Sequence, residues 1–378
     1  MHRHVYKKLS IMILGLAAST CHFASPTSPE DISRSMIAAP PSTPNLTIPT
    51  ESAQDYLNAF QFTATPASFQ RGRPHCFTYI ETQWGTAPGE FGFCPLSSQI
   101  RGPYPPVFNR QGDLFILDIA NRRIVRYSEN RSSQVIPLSS AYVSFDDVCN
   151  SGWSNIAVSR DRLFLTYPVP NRGRVVDQLA VLSLSGQEQG VIDLEPYYPL
   201  RPLYLDSLLP DHKGGVYLLL LPPAIVHFDK ELQPWFIYRS LEASHNEVLV
   251  IGWDGNIYTY NVKEDFLSNW GADRQCLELC ESPMGMKSVR AATQIASLTN
   301  IRLLGIDVEG RAYFAAWIRE SGHDEEVLIR LSDNQVPVIA VGKFPSRLAP
   351  DGALYGIQYD PDNPLIRPRI IKCVLDQD

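Results

Sequence analysis

The amino-acid sequence predicts an all-β protein: a six-bladed β-propeller with four-stranded blades, its ring closed by an N-terminal strand. Three observations carry this expectation. A turn residue followed two or three places later by an aromatic recurs down the chain, at Gly112-Asp113-Leu114-Phe115, Asp161-Arg162-Leu163-Phe164, Gly214-Gly215-Val216-Tyr217, Gly255-Asn256-Ile257-Tyr258, Gly310-Arg311-Ala312-Tyr313 and Gly352-Ala353-Leu354-Tyr355. The copies stand about 40 to 55 residues apart, with room for roughly four short strands in each, which is the size of a propeller blade. No helical hydrophobic period is sustained. A β-sandwich would also show many short strands, but it has no reason to repeat at a regular interval.

Composition sets the outer bounds. The 378 residues carry 33 basic and 40 acidic side chains, a net charge of −7, and are 44% hydrophobic. That content suits a globular chain with a sizeable core. An acidic balance argues against a nucleic-acid partner, which wants a basic face. The 30 prolines and 17 tyrosines point away from a helical protein.

Residues 1–21 read as an export signal. Arg3, Lys7 and Lys8 precede an apolar run from Leu9 to Ala18, too short to span a bilayer and suited to a signal-peptide core. Ala17-Ala18-Ser19 offers a small-x-small cleavage site. Ala18-Ser19-Thr20-Cys21 resembles a bacterial lipobox, which would put a lipid anchor on Cys21. Both exits stay open, so the expected location is secreted, periplasmic or lipid-anchored at the cell surface. Residues 22–53 are rich in Pro, Ser and Thr, including Pro26, Pro29, Pro40, Pro41, Pro44 and Pro49. They bury too little apolar area to offset ordering entropy and read as a tether. Asn45-Leu46-Thr47 and Asn130-Arg131-Ser132 fit the N-glycosylation pattern.

The propeller is expected over residues 54–378. Gln54–Gln61 reads as a short helical turn, Phe77–Trp84 as a strand and Gly85–Gly92 as a glycine-rich loop. Upstream of the hairpins lie apolar strands at Asn155–Val158, Val248–Ile251 and Leu303–Ile306. Downstream strands fall at Ile124–Tyr127, Leu179–Leu184, Ile225–Phe228, Val327–Leu331 and Ile370–Val374. A fourth piece closes several units, at Val135–Leu138, Gly190–Leu194, Trp235–Tyr238 and Val338–Val341. The Asp-Gly and Glu-Gly pairs at residues 254–255, 309–310 and 351–352 tolerate the positive φ of tight hairpins. One helix is expected, around Ser288–Ala296.

The last copy runs out after its third strand, and Phe77–Gln83 is a spare strand before the first. An open ring would expose a sheet edge, so Phe77–Gln83 is expected as the outermost strand of the sixth blade. That placement brings Cys76 to Cys373 and predicts a disulfide; Cys76–Cys94 is the competing pair. With Cys21 in the signal, six cysteines remain, an even number that favours disulfides in an exported chain. Cys276 and Cys280 are expected to form a small disulfide loop; as half a metal site they lack a partner pair. Cys149 could be a buried free thiol.

Leu117-Asp118 and Asn121-Arg122-Arg123-Ile124 give Gly112–Tyr127 a resemblance to an NHL repeat. Trp84-Gly85 and Pro88-Gly89-Glu90-Phe91-Gly92 resemble the lead-in loop of bacterial exported propellers of that kind. The other five copies keep only the hairpin, so the chain as a whole resembles the broad six-bladed, TolB-like group. That resemblance implies a fold more than a function, since the group includes lactonases, lyases, receptor modules and scaffolds.

Candidate site residues follow from residue type and place. Asp118, Asn121 and Arg123 could form a polar site near the ring's mouth, although such residues in this repeat more often tie a loop. Trp153, Trp253, Trp270 and Trp317 could line a carbohydrate-binding mouth; Trp153, in a loop, is the better ligand candidate, and Trp253 and Trp317 read as packing between blades. The resemblance to lactonase-type propellers implies a divalent cation such as calcium in the channel, for which Asp146, Asp147, Asp206, Asn300 and Asp360 are the candidates. The histidines show no ligand spacing. There is no Gly-x-Ser-x-Gly, phosphate loop or dinucleotide fingerprint. Two readings remain: an exported scaffold without a cofactor that binds a protein or carbohydrate ligand through residues such as Asp118, Asn121, Arg123, Trp153 and Asp206, or a metal-dependent lactonase-like hydrolase or lyase acting at the channel mouth.

Overall fold

The computed structural model describes residues 70–95, 100–139, 142, 155–171, 174–197, 204–221, 224–237, 247–272, 285–320, 323–332, 336–360, 363 and 365–376. The expected signal and tether, the turn expected at Gln54–Gln61, Cys149, and the loop expected at Cys276–Cys280 lie outside them. No helix among the described residues is long and apolar enough to cross a membrane.

Six sheets follow one another along the chain, each built on a four-stranded antiparallel meander, in sequence order in blades 1 to 5. Blade 1 runs from Val107–Phe108 through Leu114–Asp118 and Arg123–Tyr127 to Ser133–Pro137. Blade 2 has Ile156–Ser159, Arg162–Asn171, Arg174–Ser183 and Glu188–Asp193. Blade 3 has Tyr204–Pro210, Val216–Leu221, Ala224–Phe228 and Pro234–Ile237. Blade 4 has Glu247–Ile251, Ile257–Asn261, Phe266–Asn269 and Gly285–Ser288. Blade 5 has Leu298–Ile306, Ala312–Glu320, His323–Leu331 and Val338–Val341. Blade 6 takes Arg347–Leu348, Leu354–Gln358 and Arg369–Asp376 from the C-terminal end and Arg73–Glu81 from the N-terminal side. This is the expected six-bladed propeller.

The recurring aromatic explains why the repeat exists. Side chains alternate across a strand, so a second strand covered on both faces serves two interfaces. In blade 1, Phe115 and Leu117 pack against Ile156, Val158 and Leu163 of blade 2. Leu114 and Ile116 pack against Ala353, Tyr355 and Ile370 of blade 6. Each aromatic enters the interface with the following blade: Phe164 meets blade 3, Tyr217 blade 4, Tyr258 blade 5, Tyr313 blade 6 and Tyr355 blade 1. None is more than 6% exposed.

The hairpins between first and second strands use more than one turn chemistry. In blades 1, 4, 5 and 6 the first turn residue donates its N–H to the carbonyl of the fifth, and a glycine fourth donates back, as in Asp307 N to Arg311 O (3.0 Å) and Gly310 N to Asp307 O (3.1 Å). The glycine sits at positive φ, 75° at Gly310 and 82° at Gly352, as a three-residue hairpin loop requires. Blade 2 lacks the glycine because its turn is shorter. Arg162 pairs directly with Ser159, and Arg160 takes the left-handed conformation instead (φ 53°).

Closure occurs as expected, with a shifted range. Arg73–Glu81 pairs antiparallel with Arg369–Asp376, setting Cys76 opposite Cys373, and the two are disulfide-bonded. The competing Cys76–Cys94 pairing does not form; Cys94 is itself disulfide-bonded. A second clasp was not foreseen. Gln70–Arg71 runs parallel to Val338–Ile339 at the outer edge of blade 5, with Gln70 N to Pro337 O at 3.0 Å and Gly72 N to Ile339 O at 2.9 Å. The chain crosses from blade 5 to blade 6 at Gly72, where a Cβ would come within 2.5 Å of Leu375 Cδ1 and 2.7 Å of Val338 Cγ1. The expected helix is a short one, Val289–Thr293, with Ser288 Oγ accepting from Ala291 N.

Peptide mapping without reduction is expected to recover Cys76 joined to Cys373. The cross-link joins residues 297 apart, for which chain entropy alone gives about 5–6 kcal/mol, against about 2–5 kcal/mol typically lost with a native disulfide. Urea unfolding of the Cys76→Ala/Cys373→Ala protein should show a loss in that lower range. An unchanged midpoint would mean that strand pairing alone closes the ring.

Candidate functional site on the loop face

In such a meander the first-to-second and third-to-fourth hairpins share one face of the ring. The second-to-third connections and the links between blades share the other, here called the loop face. The stretch between Glu81 and Val107 enters blade 1 across this loop face. A Trp84–Phe91 bridge and Gly85 N to Phe91 O at 2.9 Å fold its first part into a closed loop. Glu90 accepts from Ala87 N (2.9 Å) and from Gln83 Nε2, bonds that hold its carboxyl below the usual carboxylate range.

Asp118, Asn121 and Arg123 come together beneath this loop. Asp118 is fully buried. Its Oδ1 accepts from Gly92 N at 3.0 Å; its Oδ2 accepts from Asn121 Nδ2 at 2.8 Å and Arg123 Nε at 2.9 Å. Asn121 Nδ2 also donates to Gly85 O (2.8 Å). Arg123 reaches Thr86 O at 2.7 Å and Glu90 O at 2.6 Å. The three side chains therefore tie the Gly85–Gly92 loop to blade 1. A buried carboxylate and guanidinium are tolerable here because each is hydrogen-bonded as well as paired.

Above this anchor the loop presents an apolar surface. The Trp84 ring meets Phe93 edge-on at 5.6 Å and Tyr359 at 5.7 Å, and Trp84 Nε1 donates to Ile366 O at 3.1 Å. Tyr359 Oη accepts from Gly102 N. Phe93 is 39% exposed, Ile366 44% and Leu365 89%. These residues were not singled out in the sequence. The signal was an apolar pair, Leu365-Ile366, directly after the turn-rich run Asp360-Pro361-Asp362-Asn363-Pro364, where polar residues are the norm.

The other candidates scatter. Trp153, Asp146 and Asp147 lie outside the described residues. Asp206 falls at a bulge in the innermost strand of blade 3, between the paired Leu205 and Ser207. Asn300 is exposed in the irregular innermost strand of blade 5, at φ 50°. Asp360 is half-buried in the second-to-third link of blade 6. Among the described residues no three His, Cys, Asp or Glu side chains stand close enough to hold a metal ion. Trp270 donates to Thr259 Oγ1 at 2.9 Å within the contact between blades 3 and 4.

Two further clusters sit on the hairpin face. Ser159 Oγ donates to Asp211 Oδ1 (2.9 Å), and His227 Nε2 contacts Asp211 Oδ2 at 3.1 Å. These are the residue types of a nucleophilic triad with the wrong wiring. The carboxylate stands between serine and histidine, so no base is placed to take the serine proton. Burial pushes Asp211 up, but the bonds from His227, Lys213 N, Ser159 and Gly215 N outweigh it and bring it down to about 2. Beside it, His212 stacks on Trp253 at 4.3 Å. Trp253 reaches from blade 4 to Leu348 O of blade 6 at 3.3 Å, so this pair fills the hairpin end of the channel. His212 is 8% exposed with Nε2 unpartnered, and burial lowers it to about 4, Asp211 opposing and Arg110 reinforcing.

No family model matches the sequence, and no curated protein matches it significantly. Among solved structures the chain is similar to a streptogramin B lyase, at 12% identity over 81% of this chain and 98% of that one, with a TM-score of 0.40. It is similar to virginiamycin B lyase from Staphylococcus aureus at 11% identity, over 81% and 100% of the two chains, TM-score 0.39. A protein assigned as a gluconolactonase gives 10% identity, 83% and 97% coverage, and a TM-score of 0.39. Likeness at this level carries no functional argument, and the propeller rests on the strand order itself.

Two outcomes follow from these clusters. Asp118→Ala strands the buried Arg123 guanidinium and should cost about 3–5 kcal/mol, read by denaturant unfolding, with faster hydrogen exchange across 85–92. Stability should also fall with acid in two windows. His212 binds its proton more weakly folded than unfolded, so stability drops between about pH 6.5 and 4, by about 3 kcal/mol. Asp211, whose folded value is depressed, holds its contribution above about pH 4 and loses it as pH falls toward about 2. His212→Asn, which tolerates positive φ, should flatten the first window in pH-dependent unfolding and leave the second.

Proposed function

We propose that the chain is an exported binding module, and that it engages a protein partner through the Trp84–Phe93–Tyr359–Leu365–Ile366 surface of the loop face. The observation that carries this reading is Leu365, 89% exposed at the tip of an otherwise ordered aromatic cluster. Protruding aliphatic and aromatic groups backed by a fixed scaffold are what a protein interface buries at its centre. A glycan platform would want a free indole face with polar groups at its rim. Trp84 has its N–H taken by Ile366 O and rings set against it by Phe93 and Tyr359. Asp118, Asn121 and Arg123 support the surface from below. Export is supported by the signal-like N-terminus, with a free mature end or a lipid on Cys21 as the two forms it would take.

The test is site-specific photocrosslinking in the native secreted or cell-surface fraction. A crosslinker at position 365 should give one dominant protein adduct that Trp84→Ala weakens at least about tenfold, the scale of a central interface residue. A crosslinker at Ser185, on the opposite face, should not give it. Adducts equal at the two positions, or insensitive to Trp84, would reject the surface.

A further inference from the structure

A second site lies on the hairpin face, between blades 2 and 3, independent of the surface proposed above. There the turn Arg160–Arg162 of blade 2 faces two turns of blade 3, and the three line an open surface cleft of about 450 Å³. That volume suits a small organic ligand. Its lining brings four cations, Arg160, Arg162, Lys213 and Lys230, against two acids, Asp161 and Glu231, on a chain whose net charge is −7.

The acids do not neutralise it. Glu231 is taken by Lys230 at 3.3 Å, which leaves Asp161 against three cations. Arg160 and Lys213 are exposed, and among the described residues neither charged head meets a carboxylate. Arg162 is fixed differently. Its Nη1 donates to the backbone carbonyls of Gly214 (3.4 Å) and Lys230, which sets its guanidinium between the turns and leaves its other N–H groups available.

The floor of the cleft is rigid. Asp211 Oδ1 accepts from Lys213 N at 2.8 Å and Gly215 N at 2.7 Å, and Gly214 N donates to Ser159 Oγ at 3.0 Å. The buried Ser159–Asp211–His227 cluster, without a catalytic arrangement, thus holds the turn that carries Lys213 against the turn that carries Arg160. The first hairpin of blade 2 places Arg160 in the left-handed region (φ 53°), as that of blade 3 places His212 (φ 58°), a conformation that favours glycine. The half-buried Leu232 supplies an apolar wall.

We propose that this cleft binds a small organic molecule bearing a phosphate or sulfate group. A tetrahedral oxyanion can accept from several cationic donors at once, and an arginine fork is suited to it. A lone carboxylate would leave part of the positive set unanswered. The apolar wall and the volume provide for the body of the molecule that carries the anion.

Isothermal titration calorimetry at low salt tests this, with glucose 6-phosphate and glucose 6-sulfate as probes and glucose and inorganic phosphate as controls. Saturable binding of at least one ester is expected, about tenfold or more tighter than inorganic phosphate, with no binding of glucose. Arg160→Ala/Lys213→Ala should weaken it at least tenfold while the thermal midpoint holds. Arg160→Gly should weaken binding while keeping or raising the midpoint. No saturable binding of either ester up to about 10 mM, affinity no better than that of inorganic phosphate, or affinity unchanged in the double variant would each overturn the proposal. None of these results bears on the loop-face surface, whose crosslinking position 365 and Trp84 lie on the opposite side of the ring.

Discussion

Every sheet in this ring has two faces to cover and only its neighbours to cover them, and the rest of the structure depends on that constraint. A sheet left bare on either side would expose a strip of apolar residues and a pairing edge. The second strand of each blade answers it by alternation, sending odd and even residues to different neighbours. The six repeat aromatics then make sense as a set, since each enters the interface with the next blade. The sixth interface joins blade 6 to blade 1, and it can form only if the two ends of the propeller meet. The Arg73–Glu81 strand, the Cys76–Cys373 disulfide and the Gln70–Arg71 clasp all act at or beside that junction.

This constraint explains why the fold was legible. Hairpin glycines, alternation and the aromatic are all consequences of local geometry and two-sided burial, so they leave periodic marks. The strand Val338–Val341 falls where the apolar run placed it, and closure by the spare N-terminal strand followed from counting strands. What escaped notice was whatever lacked an apolar period. Phe266–Asn269 and Gly285–Ser288 in blade 4 are short and carry no alternating apolar period, and they are strands because a neighbour holds them. The parallel Gln70–Arg71 clasp is exposed at the rim and carries no hydrophobic signature.

The site was less legible, for a related reason. Asp118, Asn121 and Arg123 stand out in sequence because they cluster polar groups beside a strand, yet their atoms are spent on the backbone of the Gly85–Gly92 loop. A close run of charged residues marks a place where the fold needs a bond. The surface that this bond supports comes from Trp84 and Phe93 near one end of the propeller and Tyr359, Leu365 and Ile366 near the other. Only closure of the ring brings them together, so no local pattern could announce them.

The blade 2 turn carries the same logic one step further. Among hairpins set by packing, an informative position is one held in a costly conformation without a structural gain. Glycine would fill the left-handed place in blade 2 at lower conformational cost than Arg160, as Gly112, Gly255, Gly310 and Gly352 do in the longer first hairpins of blades 1, 4, 5 and 6. The arginine contributes no hydrogen bond or ion pair to the described fold. It projects a charge beside Arg162 and Lys213, over a floor whose buried aspartate fixes the opposing turn. In a ring whose repeats are set by packing, a residue that packing does not need is best explained by something outside the chain, and the charge of its neighbours says that this something is an anion.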